Sequence, residues 1–129
     1  MPDVNVTIPA TSEFMHLLRL VIAGVAARQN FSVDVIDDLR LAVDETGSYL
    51  LSLGAKPNHL NMRLNSDSDA VVALLWIDAK QAQWPPRPQD QGLWWQILIA
   101  LTDEAEFLLE DGAPAIRFVK RDPLDFGPT

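Results

Sequence analysis

A chain of 129 residues, 48% of them hydrophobic, is long enough for one domain with a real core and carries no signature of disorder. Its formal charge of −8 argues against sequence-independent nucleic-acid binding, which needs a basic surface to displace counterions from phosphates, and suits a basic protein partner better. Without cysteine there are no disulfides or thiolate metal sites, and His16 and His59 stand too far apart for a histidine metal motif, so no metal is expected.

The opening MPDVNVTIPA lacks the basic and long apolar regions of a signal peptide, and no apolar run reaches the roughly 18 to 20 residues of a membrane span. A cytoplasmic protein without membrane or nucleic-acid partners is expected, with residues 1–129 forming a single domain. Residues 4–8 alternate Val4, Val6 and Ile8 with polar residues, the period of a half-buried strand, and Pro9 ends it. Thr11 and Ser12 offer caps to a helix over residues 12–29, whose apolar positions are Phe14, Leu17, Leu18, Val21, Ile22 and Val25.

A second helix begins after Ser32, with Asp34, Asp37 and Asp38 near its positive N-terminal end. Ile36, Leu39, Val43, Thr46 and Leu50 form its inner stripe, and Gly54 and Pro57 stop it. On this helix Glu45 and Tyr49 lie one turn apart beside the stripe, flanking a groove. Residues 58–66 and 70–77 read as two strands joined by the turn-forming SDSD, a hairpin. The segment QAQWPPRPQDQG has three prolines and no apolar period and is a loop. Helical spacing returns over residues 92–102 with Leu93, Ile97, Leu98 and Leu101. AEFLLE and AIRFVKR, separated by DGAP, make a second hairpin, after which DPLDFGPT is expected to fray. This order predicts an α/β two-layer sandwich: a mixed, mostly antiparallel sheet of about five strands with three helices on one face.

Within it, DDLRLAVDETGSYLL, residues 37–51, resembles the DLxxAVxEAxxN helix of bacterial anti-sigma-factor kinases, in the wider group of histidine-kinase-like ATPases. The likeness covers nearly the whole chain, since residues 6–45 resemble the opening of an anti-sigma factor of the RsbW type. GLWWQILIALTDEAEFLLEDG likewise falls where that family has a glycine-containing helix start, LxxxLxDE and a strand. The nearest likeness is to the actinobacterial version that controls a stress-response sigma factor.

The resemblance implies an ATP site, and this sequence departs from it. Glu45 stands at the catalytic glutamate, but Tyr49 stands where an asparagine would hold Mg²⁺. A phenol is a poor neutral ligand for that ion. Asp78 matches the aspartate that reads adenine, yet Lys80 replaces the glycine after it. Gly92 is kept, but Trp94 fills the next glycine position, where an indole obstructs the approach of backbone N–H groups to phosphate. Without metal or phosphates Glu45 has nothing to activate. In the plainer reading Glu45 is a solvated helix carboxylate, Tyr49 a packing aromatic in the vacated pocket and Asp78 a strand-end turn residue. One of Trp94 and Trp95 should be core, and the other exposed next to Trp84 as an interface anchor.

The function implied is an anti-sigma factor that sequesters a sigma factor and is released by an anti-anti-sigma protein, with no cofactor. The alternative is an active serine/threonine kinase using ATP and Mg²⁺ to phosphorylate that antagonist, and a scaffold without a sigma partner is a third class. The sigma interface is expected on helix 1 and the neighbouring loop, with Arg19, His16, Asp34, Asp37 and Asp38 as its charged members. In the bland alternative Arg19 simply pairs with a surface carboxylate. A homodimer through the free edge of the strand over residues 3–9 is also expected.

Overall fold

The computed structural model describes residues 3–67 and 69–122. In chain order they form β1 (Val4–Pro9), α1 (Met15–Arg28), α2 (Val33–Leu51), β2 (His59–Ser66), β3 (Ala70–Ile77), α3 (Gly92–Leu101), β4 (Glu104–Glu110) and β5 (Ala113–Arg121). The strands make one five-stranded sheet in the order β1-β2-β3-β5-β4, and all four pairings are antiparallel, so no parallel pair makes the sheet mixed. The tail predicted to fray lies outside the described residues from Pro123 onward.

Local chemistry accounts for the turns. Asp67 accepts the backbone N–H groups of Asp69 and Ala70, which closes the β2–β3 hairpin and holds its carboxyl below the usual range. The β4–β5 hairpin turns at Asp111 and Gly112, with φ of 51° and 82°, the left-handed pair that a two-residue turn between twisted strands requires. Ser32 caps α2 by accepting the N–H of Val35. Thr11, by contrast, caps nothing through its side chain: the chain first makes a 3-10 turn over Ser12–Phe14, and α1 begins at Met15.

Burial follows from the register. Val4, Val6 and Ile8 pair with Leu64, Met62 and Leu60, which share one face with Ala73, Leu75, Ile77, Ile116 and Phe118. All three helices cover this face, α1 over β1 and β2, α2 over β3 and β5, and α3 against β4. On α2 the predicted stripe holds at Leu39, Val43, Thr46 and Leu50, but in the first turn Val35 is the buried residue and Ile36 is only half-buried. Two further predicted core positions fail outright. Leu17 and Leu93 are exposed, Leu93 by 74%, because Met15 and Ala26 complete the buried face of α1 and Trp95 takes the core position of α3. At Gly47 a Cβ would come within 2.5 Å of Met15 Cε and 2.9 Å of its Sδ, so the missing side chain leaves room for the Met15 thioether to pack against α2.

The opposite face carries polar side chains over a thin apolar strip. Arg63 lies 5.0 Å from the centre of the Trp76 ring and reaches Glu110 at 3.4 Å, while Arg117 pairs with Glu106. Arginine stems thus shield the middle of the sheet from water.

Candidate functional site

Helix α2 points Tyr49 away from α1 and toward α3, where it meets a set of aromatic side chains from three other elements. The Tyr49 and Trp94 rings stack 3.9 Å apart at 13°. Trp84, from the loop after β3, lies 6.2 Å from Tyr49 and edge-on to Phe107 of β4 at 5.3 Å. Its indole N–H donates to the Leu108 carbonyl at 2.7 Å. Beneath them Trp95 stacks on Phe107 at 4.3 Å and 22°. Five rings therefore fill the volume between α2, α3 and β4.

Trp95 is the core member of the tryptophan pair, 9% exposed, as expected. Trp94 is not the exposed anchor that the sequence suggested. It is half-buried on Tyr49, because stacking two flat rings removes more apolar surface from water than leaving an indole at the helix start. Its indole N–H is buried and has no hydrogen-bond partner among the described residues, a local cost that the packing offsets.

Burial, with a smaller push from the Asp90 carboxylate, raises the Tyr49 phenol above its ordinary 10.0. Its neutral form is thus favoured in the fold, and the stability this brings is present below pH 10 and lost as pH rises through the folded value. Tyr49 is the one tyrosine in the chain, so phenolate absorbance on alkaline titration reports it alone. The midpoint is expected above 10.0 in the parent and closer to 10.0 in Trp94→Gly; a parent midpoint at or below 10.0 would contradict the stack.

The position resembling the adenine-reading aspartate is also committed. Asp78 Oδ1 accepts the backbone N–H groups of Asn58 and His59 at 2.8 and 2.9 Å, and its Oδ2 lies 2.8 Å from His59 Nδ1. Burial pushes this carboxyl up, but the hydrogen bonds from His59 and Asn58 outweigh it and hold the group below the usual carboxylate range. Asp78 therefore fastens the end of β3 to the start of β2, the plainer of the two roles its sequence context allowed. Lys80 is exposed and has no ionic partner among the described residues, and Gly92 opens α3 at φ 77°. Glu45 is half-buried on α2 and has no bonded partner among the described residues.

ATP with Mg²⁺ does not fit these residues: an indole stands where the resemblance sets the phosphate approach, a half-buried phenol where it sets the metal ligand, and both oxygens of Asp78 are engaged. His59 and Phe107 were not singled out in the sequence. His59 could have been found from the hairpin register, which pairs Leu60 with Ile77 and so sets residue 59 beside residue 78.

The charged positions expected at a partner interface fall into two groups. Arg19 donates to Asp44 and Met15 meets Gly47, so α1 and α2 run antiparallel. His16 and Arg19 therefore sit toward the C-terminal end of α2. Asp34 begins that helix, about 20 Å along the axis from Gly47. The structure does not bring the five together. His16 Nδ1 lies 3.0 Å from the Glu13 carbonyl, Asp37 pairs with Arg40 at 3.4 Å, and Asp38 pairs with Lys120 of β5 at 3.1 Å. Leu20 and Leu41, 64% and 51% exposed, lie on the outer side of the same helix pair and were not singled out from sequence.

Sequence comparison decides the family. Serine-protein kinase RsbW of Bacillus thuringiensis (strain Al Hakam) is 40% identical over 144 aligned residues, taking in 95% of this chain and 88% of the relative. The chain belongs to the RsbW family of anti-sigma factors. Serine-protein kinase RsbW of Bacillus subtilis (strain 168) is 38% identical over 92 residues, 69% of this chain and 58% of the relative. No protein-family model matches the sequence. A crystal structure of the RsbU and RsbW domains of a Mycobacterium tuberculosis protein superposes with a TM-score of 0.71 at 18% identity, covering 94% of this chain and 32% of that one. This likeness supports the kinase-like ATPase fold.

Proposed function

We propose that this chain is an anti-sigma factor that holds a stress-response sigma factor by protein–protein contact and gives it up to an anti-anti-sigma protein without using ATP or Mg²⁺. The observation that carries the reading is the Tyr49–Trp94 stack, which occupies the place where the relatives' kinase chemistry would need metal and phosphates. Family membership supplies the sigma-binding role, and the net charge of −8 suits a partner whose DNA-binding surface is basic. The relatives are named serine-protein kinases, and Glu45 keeps the catalytic position. With the rest of the site filled, a half-buried carboxylate alone does not make a kinase. No helix among the described residues is long and apolar enough to cross a membrane.

The direct test is capture. Immobilised chain should retain a stress-response sigma factor from the same cell in nucleotide-free buffer and release it when the anti-anti-sigma protein is added. Release that depends on ATP, with phosphate appearing on the antagonist, would restore the kinase reading.

Self-association through β1 belongs to the same proposal, since β1 is an edge of the sheet. The register identifies which groups are free. Ala10 N–H donates to Asn58 and His59 N–H points to Asp78 on the β3 side, so alternation turns the N–H groups of Val4, Val6 and Ile8 toward β2. Only Asn5 and Thr7 present outward donors, because Pro9 has none. Proline at Val6 would therefore damage the sheet itself, whereas Thr7→Pro removes an outward N–H and, within the sheet, only the exposed bond that the Thr7 hydroxyl donates to Asn61. Sedimentation is expected to show a parent dimer weakened about tenfold or more in Thr7→Pro, from the loss of paired edge bonds. A parent that stays monomeric at high concentration would rule the edge dimer out.

A further inference from the structure

The five rings of the aromatic unit belong to four separate parts of the chain: Tyr49 to α2, Trp84 to the loop of residues 78–91, Trp94 and Trp95 to α3, and Phe107 to β4. The loop has little else to hold it. Its Arg87–Asp90 pair is internal, and among the described residues Trp84 makes the one side-chain hydrogen bond that runs from residues 79–91 to another part of the fold. The start of α3 is equally dependent on packing, because Gln91 provides no side-chain cap and Gly92 enters the helix at positive φ. Two of the chain's less anchored segments thus meet on a single aromatic stack.

We infer that this stack is a built-in replacement for a nucleotide, joining α2, the 79–91 loop and the start of α3 from within, so that this face of the protein is closed in the free chain whatever the nucleotide supply. The inference rests on the proposed reading of the site as a disabled ATP site, and it adds what the replacement does. A bound ligand would tie these elements together only when present. Side chains tie them permanently, since Tyr49 and Trp94 lie face to face at 3.9 Å and Trp84 is fixed both by its N–H bond and by Phe107. Regulation then resides in exchange of protein partners, with no ligand-loaded and ligand-free forms of the chain to switch between.

Hydrogen exchange of the full-length chain, read by peptide mass spectrometry, tests this without any sigma factor. In the parent, protection over residues 79–95 should be the same with and without millimolar MgATP. Trp84→Ala should speed exchange over residues 79–91 by about tenfold or more while β2 and β3 stay as protected as in the parent. Trp94→Gly should speed exchange over both the loop and the first turn of α3, and free indole, offered as a probe for the vacated space, should slow it again. If Trp94→Gly does not fold, Trp84→Ala decides alone, because Trp84 is half-exposed and lies at the rim of the core. Loop exchange in Trp84→Ala within about twofold of the parent overturns the inference. Should that happen while the parent ignores MgATP, the disabled-site reading stands and only the substitute role falls; protection of the parent by MgATP removes both.

Discussion

Calorimetric titration of the purified chain with ATP and Mg²⁺ is expected to give no saturable binding up to about 1 mM, a ceiling of roughly 4 kcal/mol of standard free energy. No labelled phosphate should pass to an anti-anti-sigma protein. To admit the phosphates, Trp94 would have to leave its stack on Tyr49. Because Trp94 is half-buried, returning its indole to water exposes on the order of 100 Å² of apolar surface, a cost of about 2–3 kcal/mol at 25 cal/mol per Å². Reading adenine would further require Asp78 to release two backbone N–H groups and His59. Each of these bonds to a charged acceptor is worth about 1.5–3 kcal/mol, discounted here because the group is partly exposed. Nothing on the ligand side compensates, since the phenol of Tyr49, neutral below its ordinary pKa of 10.0, which burial raises further, is a poor ligand for Mg²⁺. Micromolar affinity together with phosphate transfer would show that these side chains move aside at small cost and that the chain is a working kinase.

How far the sequence alone reached differs between fold and site for a physical reason. Period-2 alternation in β1 and the stripe of α2 are imposed by one continuous core, so elements could be placed to within about two residues, except the start of α1, where a 3-10 turn takes the first three predicted positions. Errors arose where a helix edge competes among several apolar candidates. Leu93 fits the period of α3 as well as Trp95 does, but the larger ring buries more surface and takes the inside place. In the site, the resemblance implied that Tyr49, Lys80 and Trp94 stand where ATP binding needs other residues, because each departs from the family's motif at its own position. It could not show that Trp94 stacks on Tyr49 or that Phe107 closes the group, since those contacts join residues from α2, α3 and β4. Ion pairs were hidden for the same reason. Asp38 reads as a free acid near a helix start, yet its partner Lys120 lies on the last strand.

Those ion pairs also decide how the sigma interface is to be probed. Neutralising Asp38 would leave Lys120, whose side chain is only 16% exposed, without its carboxylate, so a loss of binding could reflect damage to the fold. Asp34→Asn combined with Asp37→Asn avoids that fault, because among the described residues Asp37 meets only the exposed Arg40. If the acidic start of α2 steers a basic sigma factor, this double variant should associate several-fold more slowly at low salt. The difference should vanish at high salt, where the Debye length falls to about 3 Å. Dissociation should hardly change. Arg19 makes the opposite case. Its partner Asp44 lies within the chain, and Leu20 and Leu41 are exposed on the outer side of the same helices as apolar anchors for a contact centred there. Arg19→Ala should raise the dissociation rate by about thirtyfold or more if the guanidinium is covered by the sigma factor, matching the 2–5 kcal/mol typical of breaking a buried interfacial charge contact. Asp44→Asn is the control, since it removes the intramolecular pair and leaves Arg19 available. Fast dissociation in Arg19→Ala but not in Asp44→Asn would assign the contact to the arginine itself, whereas equal effects would mean that the pair only shapes the helix surface. If none of these variants departs from the parent across a salt series, the interface is not on α1 and α2, and the half-exposed Trp84 beside Leu109 becomes the surface to probe.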